Sequence, residues 1–134
     1  MFTWDDQYTL HIEEIDNQHK RLFQLGAQLN KMAKEADTYY DSEALMDIIE
    51  DLCEYTVYHF DTEEKHFESS GFPEAHAHAK QHQGFIEFLG TLNIDDIEHR
   101  TSASLSDLLA FINEWIVKHI IFEDRKFADF VKQV

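Results

Sequence analysis

Nine histidines in a chain of 134 residues stand out, and their spacing carries more information than their number. His59-x-x-x-Glu63 and His78-x-x-x-His82 each place two metal-ligating side chains four residues apart. His119 is followed by Glu123 and Asp124, four and five residues on, and His19 stands alone on the apolar stripe of Ile15, Leu22 and Leu29. Helix residues i and i+4 lie about 6 Å apart on one face, close enough to share an ion. Neutral imidazole and carboxylate both bind divalent transition metals well. Other chemistries lack their residues. There is neither a G-x-G-x-x-G nor a P-loop pattern to cradle phosphate, no Gly-x-Ser-x-Gly elbow, and no His-Glu-x-x-His of a metalloprotease. The single cysteine, Cys53, excludes an internal disulfide and a thiolate cage, and reads as a small core residue.

The elements that must position these side chains are helices. One proline, Pro73, and long stretches of 3.6-residue periodicity predict an all-α chain. The expected order is an arm over 1–15 and helices over about 17–36, 42–69, 73–89 and 104–132. Asp16 or Asn17 begins the first, Asp41 or Ser42 caps the second and Gly71 ends it, Pro73 opens the third as its N1 residue, and Ser104-Leu105-Ser106-Asp107 resembles a capping box for the fourth. Four helices with short connections predict an up-down-up-down bundle, with residues 1–134 as one domain.

Each helix then carries a stripe of inward positions alternately three and four residues apart. The stripes read Ile15, His19, Leu22, Gly26, Leu29; Leu45, Ile49, Leu52, Thr56, His59, Glu63, then His66 or Phe67; Ala75, His78, His82, Phe85, Leu89; and Leu105, Leu108, Ile112, Trp115, His119, Phe122. Every helix points a histidine inward. One buried polar group without a partner costs on the order of 1–3 kcal/mol, and an unpaired carboxylate far more. Five imidazoles and a carboxylate on coincident stripes need something that satisfies them together, and a metal does so. His11, His76 and His99 fall on the arm, an outward face and a charged loop. Glu63-x-x-His66 matches half of the Glu-x-x-His signature of di-iron carboxylate bundles. The third helix offers His78-x-x-x-His82 instead, so His66 is not counted among the ligands.

Composition narrows the partners. The formal charge of −16 repels phosphate backbones and anionic lipid surfaces, which argues against nucleic-acid and membrane partners. The longest apolar run, Leu108–Ile112, is far short of the ~20 residues of a membrane span. No basic region followed by an apolar core opens the chain, and one cysteine suits a reducing compartment; a cytoplasmic, monomeric, free-standing protein is expected.

These residues are recognisable as a set. Trp4-Asp5 leading into Ile15-Asp16-Asn17-Gln18-His19-Lys20, then His59-x-x-x-Glu63, His78-x-x-x-His82 and His119-x-x-x-x-Asp124, resemble the hemerythrins, specifically the bacterial single-domain hemerythrins, along nearly the whole chain. The resemblance implies a non-haem di-iron centre, oxo- or hydroxo-bridged, that binds O2 reversibly and is not an enzyme. It implies that His78, His82 and His119 hold one iron, His19 and His59 the other, and Glu63 and Asp124 bridge both. By spacing alone Glu123 rivals Asp124, because five residues turn an α-helix by about 140° off the starting face. This ligand count leaves one open octahedral position, on the iron with two histidines, for O2. Residues at Leu22, Phe23, Phe60, Trp115, Ile116 and Ile120 line the O2 pocket in the family. The expected role is oxygen storage, delivery or sensing, with an oxygen-consuming enzyme or a signalling protein as partner. The alternatives are a di-iron enzyme (oxidase, peroxidase or nitric-oxide scavenger) on the same site and metal buffering, since such donors also take Zn, Co or Ni.

Overall fold

The computed structural model describes residues 3–35 and 41–132. After a short 3-10 turn at Asp6–Tyr8, the elements are α1 (Glu13–Glu35), α2 (Ser42–Ser70), α3 (Ala75–Gly90), α4 (Ile94–Glu98), α5 (Ser102–Lys118) and α6 (Arg125–Lys132). A π-helical stretch, His119–Asp124, joins α5 to α6 with helical backbone at both junctions, so the three form one rod. Residues early in α1 face residues late in α2, and residues early in α3 face the late part of the α5–α6 rod. The four rods therefore run alternately up and down, as an all-α four-helix bundle. No helix among the described residues is long and apolar enough to cross a membrane.

The helix ends follow local chemistry and correct several expectations. α1 begins at Glu13, four residues before the expected start, and the arm ends correspondingly early. Asp16 does not cap the helix from outside it. From within the first turn its carboxylate accepts from the backbone N–H groups of Leu10 (2.8 Å) and His11 (3.1 Å), which turns the arm into the helix. Glu13, Glu14 and Asp16 together suit the positive end of the helix dipole. Ala36, the expected end, and 37–40 of the following loop lie outside the described residues. Asp41 caps α2, accepting from the Ala44 N–H at 3.1 Å. Gly71 closes α2 at φ 71°, a left-handed conformation that glycine adopts without steric cost.

Pro73 is not the N1 residue of the third helix. Phe72 is buried, and its carbonyl accepts from the Ala75 N–H at 3.2 Å, so Pro73 occupies the second position of a turn and α3 starts after it. The Asp95–Asp96 loop contains α4, too short for its periodicity to be read. It is capped by Asn93 (Asp96 N to Asn93 Oδ1, 3.0 Å) and anchored by the fully buried Ile97. The fourth rod begins at Ser102, capped by Thr101 (Ser104 N to Thr101 Oγ1, 3.0 Å), rather than at the Ser104 box.

Two apolar assemblies fill the bundle. The larger includes Leu22, Leu29, Ile49, Leu52, Leu89, Leu105 and Ile112. The smaller contains Leu10, Ile15, Phe67, Phe72, Phe127 and Ala128. Along every rod, the inward histidines and carboxylates lie between the two.

Candidate metal centre

α1 brings His19 to the middle of the bundle, α2 brings His59 and Glu63, α3 brings His78 and His82, and the π-helical stretch brings His119 and Asp124. All seven are buried, none more than 5% exposed. They form two groups capable of holding metal that share both carboxylates. One contains His78, His82 and His119; the other contains His19 and His59; Glu63 and Asp124 belong to each.

The carboxylates divide their oxygens between the groups. Glu63 Oε1 is 3.2 Å from His19 Nε2 and 2.6 Å from His59 Nε2, while Oε2 is 3.3 Å from His82 Nε2. Asp124 Oδ2 is 3.1 Å from His19 Nε2, and Oδ1 is 2.9 Å from His78 Nε2 and 3.1 Å from His119 Nε2. His119 Nε2 also lies 2.8 Å from His78 Nε2 and 2.9 Å from His82 Nε2. Three ring nitrogens converging on one point cannot all satisfy one another by hydrogen bonds. Around an octahedral metal with bonds of about 2.1 Å, neighbouring donors sit about 3 Å apart, which matches these separations. Glu63 Oε2 and both Asp124 oxygens lack a hydrogen-bond donor, as ligand atoms do. The donor set fits divalent metal.

The electrostatics point the same way. Burial alone would lower the His19 and His78 pKa values, yet Asp124 and Glu63 raise each to about 9. Burial pushes the Glu63 carboxyl up, but His59, His19 and His78 hold it well below the usual range. Asp124 is likewise lowered: burial and the Glu63 charge oppose its ionisation, and His119 and His19 outweigh them. Burial lowers His59 despite its contact with Glu63. Two anions thus demand matching positive charge in a dry interior, which protons on two rings or bound cations can supply.

The π-helical turn places Asp124, not Glu123, on the inward face beside His119. With i→i+5 hydrogen bonds each turn takes in an extra residue, so residue 124 returns to the face of residue 119. Asp124 is buried, Glu123 is part-exposed and meets Lys126 at 3.5 Å, and Phe122, expected inward, is 61% exposed. Accordingly, Asp124→Ala is expected to weaken metal binding at least tenfold in a chelator competition, whereas Glu123→Ala leaves it within about twofold; the reverse order would restore Glu123 as ligand.

The other histidines lie elsewhere. His66 pairs with Glu14 at 3.2 Å, His99 holds the Asp95 carbonyl at 2.7 Å, and His11 and His76 are exposed. A cavity of about 10 Å³ adjoins His19 and His59 of the two-histidine group, His119 of the other group, and Asp124. Leu22, Phe60, Trp115, Ile116 and Ile120 line it, with Thr56 and Phe85, which the sequence placed on inward stripes but not in the pocket. The Thr56 hydroxyl is engaged by the Leu52 carbonyl at 2.6 Å. Phe23 is not among the lining residues. It packs on Trp4 and Tyr8 of the arm, with centroids at 5.6 and 5.3 Å. Aromatic rings hold the ligand rings: Phe60 stacks on His82 at 3.7 Å, and Trp115 lies between Phe85 (3.9 Å) and His119 (4.6 Å). Three polar residues around the rings were also missed. Gln18 meets His59 Nδ1 at 2.7 Å, Thr62 meets Gln18 at 3.2 Å, and the part-exposed Glu64 meets His82 Nδ1 at 3.4 Å. Apart from Gln18's place in the string Ile15–Lys20, their signal in the chain was adjacency, since each is next to a ligand-type residue.

Comparison with known proteins agrees with this geometry. The family model described as the hemerythrin HHE cation binding domain matches residues 10–131. A bacteriohemerythrin of Clostridium acetobutylicum is 35% identical over 132 residues, covering 96% of this chain and all of the relative. A bacteriohemerythrin of Stenotrophomonas maltophilia is 29% identical, covering 98% of this chain and 82% of the relative. A hemerythrin-like protein of Naegleria gruberi is 28% identical, covering 94% and 90%. With the four-rod bundle and the shared-carboxylate donor set in place, the chain belongs to the hemerythrin family.

Proposed function

We propose that this protein binds O2 reversibly at a di-iron centre, with His78, His82 and His119 on one iron, His19 and His59 on the other, and Glu63 and Asp124 spanning both. The observation that carries this reading is the small cavity lined by both histidines of the two-histidine group but by only His119 of the other three, so a metal held by His19 and His59, with fewer protein ligands, would have its added ligand on that side. When bound, iron would supply the redox capacity for a reversible exchange of electrons with O2.

The chain's own residues make that exchange reversible. Glu63 and Asp124 hold two cations close together and cancel part of their charge, while five neutral imidazoles add none. Leu22, Phe60, Phe85, Trp115, Ile116 and Ile120 keep the cavity apolar, and Thr56 has its proton committed to Leu52. These residues keep water and free protons away from the cavity, the condition under which O2 would leave as it came. The whole chain acts as one such domain, its arm pinned where Arg125 Nη2 donates to the Gln7 carbonyl at 2.6 Å. Oxygen storage, delivery or sensing in the cytoplasm is the role we assign.

The test is spectroscopic. The reduced, iron-loaded protein is expected to develop a visible absorption band in air and lose it under argon over repeated cycles. Continuous O2 consumption with reductant present would make it an enzyme instead, and ready loss of iron to a mild chelator a metal buffer.

A further inference from the structure

Gln18 and Thr62 are polar, buried and lie against the back of a proposed ligand. Gln18 is 5% exposed and Thr62 8%, at the seam between α1 and α2. The Thr62 hydroxyl donates to the Tyr58 carbonyl at 3.1 Å, which leaves its oxygen as an acceptor. That oxygen accepts from Gln18 Nε2 at 3.2 Å. The Gln18 amide is therefore oriented with its NH2 toward Thr62 and its oxygen toward His59. Gln18 Oε1 lies 2.7 Å from His59 Nδ1, and an amide oxygen can only accept, so Nδ1 must carry the proton. The His59 proton is thus set from the Tyr58 carbonyl, one helical turn before Thr62, through two side chains.

We propose that Gln18, oriented by Thr62, is a positioning residue that holds His59 in the Nδ1–H tautomer with its Nε2 lone pair aimed at the centre. Reversing the amide would present NH2 to Nδ1 and favour a proton on Nε2, where it blocks a metal. The choice of an amide also matters: a carboxylate would draw the Nδ1 proton and make His59 a more basic ligand. The neighbouring rings are held less firmly. His82 Nδ1 meets Glu64 at 3.4 Å near the surface, and His19 Nδ1 has no hydrogen-bond partner among the described residues.

This inference rests on the proposed metal centre, and the experiment separates the two. Full-length wild type, Gln18→Leu, Thr62→Val and Thr62→Ser are titrated anaerobically with Fe(II) against a chelator. The zinc-loaded, diamagnetic forms are examined by 15N NMR of the histidine rings. Gln18→Leu and Thr62→Val are expected to weaken one of the two sites about 10–100-fold, the usual effect of losing an outer hydrogen bond to a ligand. Thr62→Ser, which keeps the hydroxyl, is expected to bind as wild type. The zinc-loaded wild type is expected to show His59 protonated at Nδ1, with that proton's hydrogen-bonded signal altered in Thr62→Val. Thr62→Val is nearly isosteric, so it carries the test if Gln18→Leu fails to fold. Normal loading of wild type with unchanged affinity in both Gln18→Leu and Thr62→Val would overturn the positioning role alone. A wild type that takes up no metal would overturn the metal centre and this inference with it.

Discussion

Glu63→Ala is expected to reduce metal uptake from two ions per chain to one or none and to abolish the oxygen-dependent absorption band. Glu63 is the side chain in contact with the most cluster histidines, its two oxygens reaching His19 and His59 on one side and His78 and His82 on the other. Its removal deletes a shared anion from both groups and leaves four imidazoles without that counter-charge in a dry interior. The loss should exceed the roughly 10–100-fold typical of an outer-sphere partner, because a direct donor to both ions is gone. Glu64→Ala, one residue on, is the control. Glu64 is 42% exposed and touches only the back of His82, so about a tenfold loss at most is expected. Metal analysis after chelator dialysis reads both variants. Retention of two ions and the band in Glu63→Ala would remove Glu63 from the centre.

Metal loading is expected to raise the melting temperature by roughly 20 °C. An ion present at a thousand times its Kd stabilises the folded state by about 4 kcal/mol, and two ions by about 8 kcal/mol. For a chain of this length each kcal/mol shifts the midpoint by roughly 3 °C. The structural reason lies between the two apolar assemblies, where seven side chains with almost no exposure contribute repulsion and unmet hydrogen-bonding capacity unless a cation joins them. Scanning calorimetry with and without a strong chelator measures the difference. Equal melting of the loaded and stripped proteins would mean that the cluster satisfies itself, and the case for a metal centre would fall.

The inward stripes were legible in the chain because a helix repeats its face every three or four residues whatever surrounds it. Periodicity alone placed Leu45, Ile49, Leu52, Thr56, His59 and Glu63 on one buried line, and they are buried. The same rule failed where the backbone left the α-helix. His119 and Asp124 are five apart, a spacing that brings two residues together only in a π-turn, and Phe122 swings outward in the same stretch. Nothing local in His119–Asp124 announces a π-turn. Helix boundaries failed at Pro73 and Ser104 because each was decided by a neighbour: Phe72 packing on Phe67, and Thr101 reaching the Ser104 N–H before the capping box could act.

The chain by itself determined an all-helical fold, the inward direction of five histidines and a donor set suited to metal. Only the tertiary structure decided which oxygen of Glu63 faces which ring, how a π-turn brings Asp124, taken from the resemblance against the spacing, to the inward face, and that Gln18 and Thr62 stand behind His59. The reason is that periodicity specifies direction around a single helix axis. A hydrogen bond such as Gln18 to Thr62 joins residues 44 apart in the chain, and it exists only once two helices have met at a particular height and rotation.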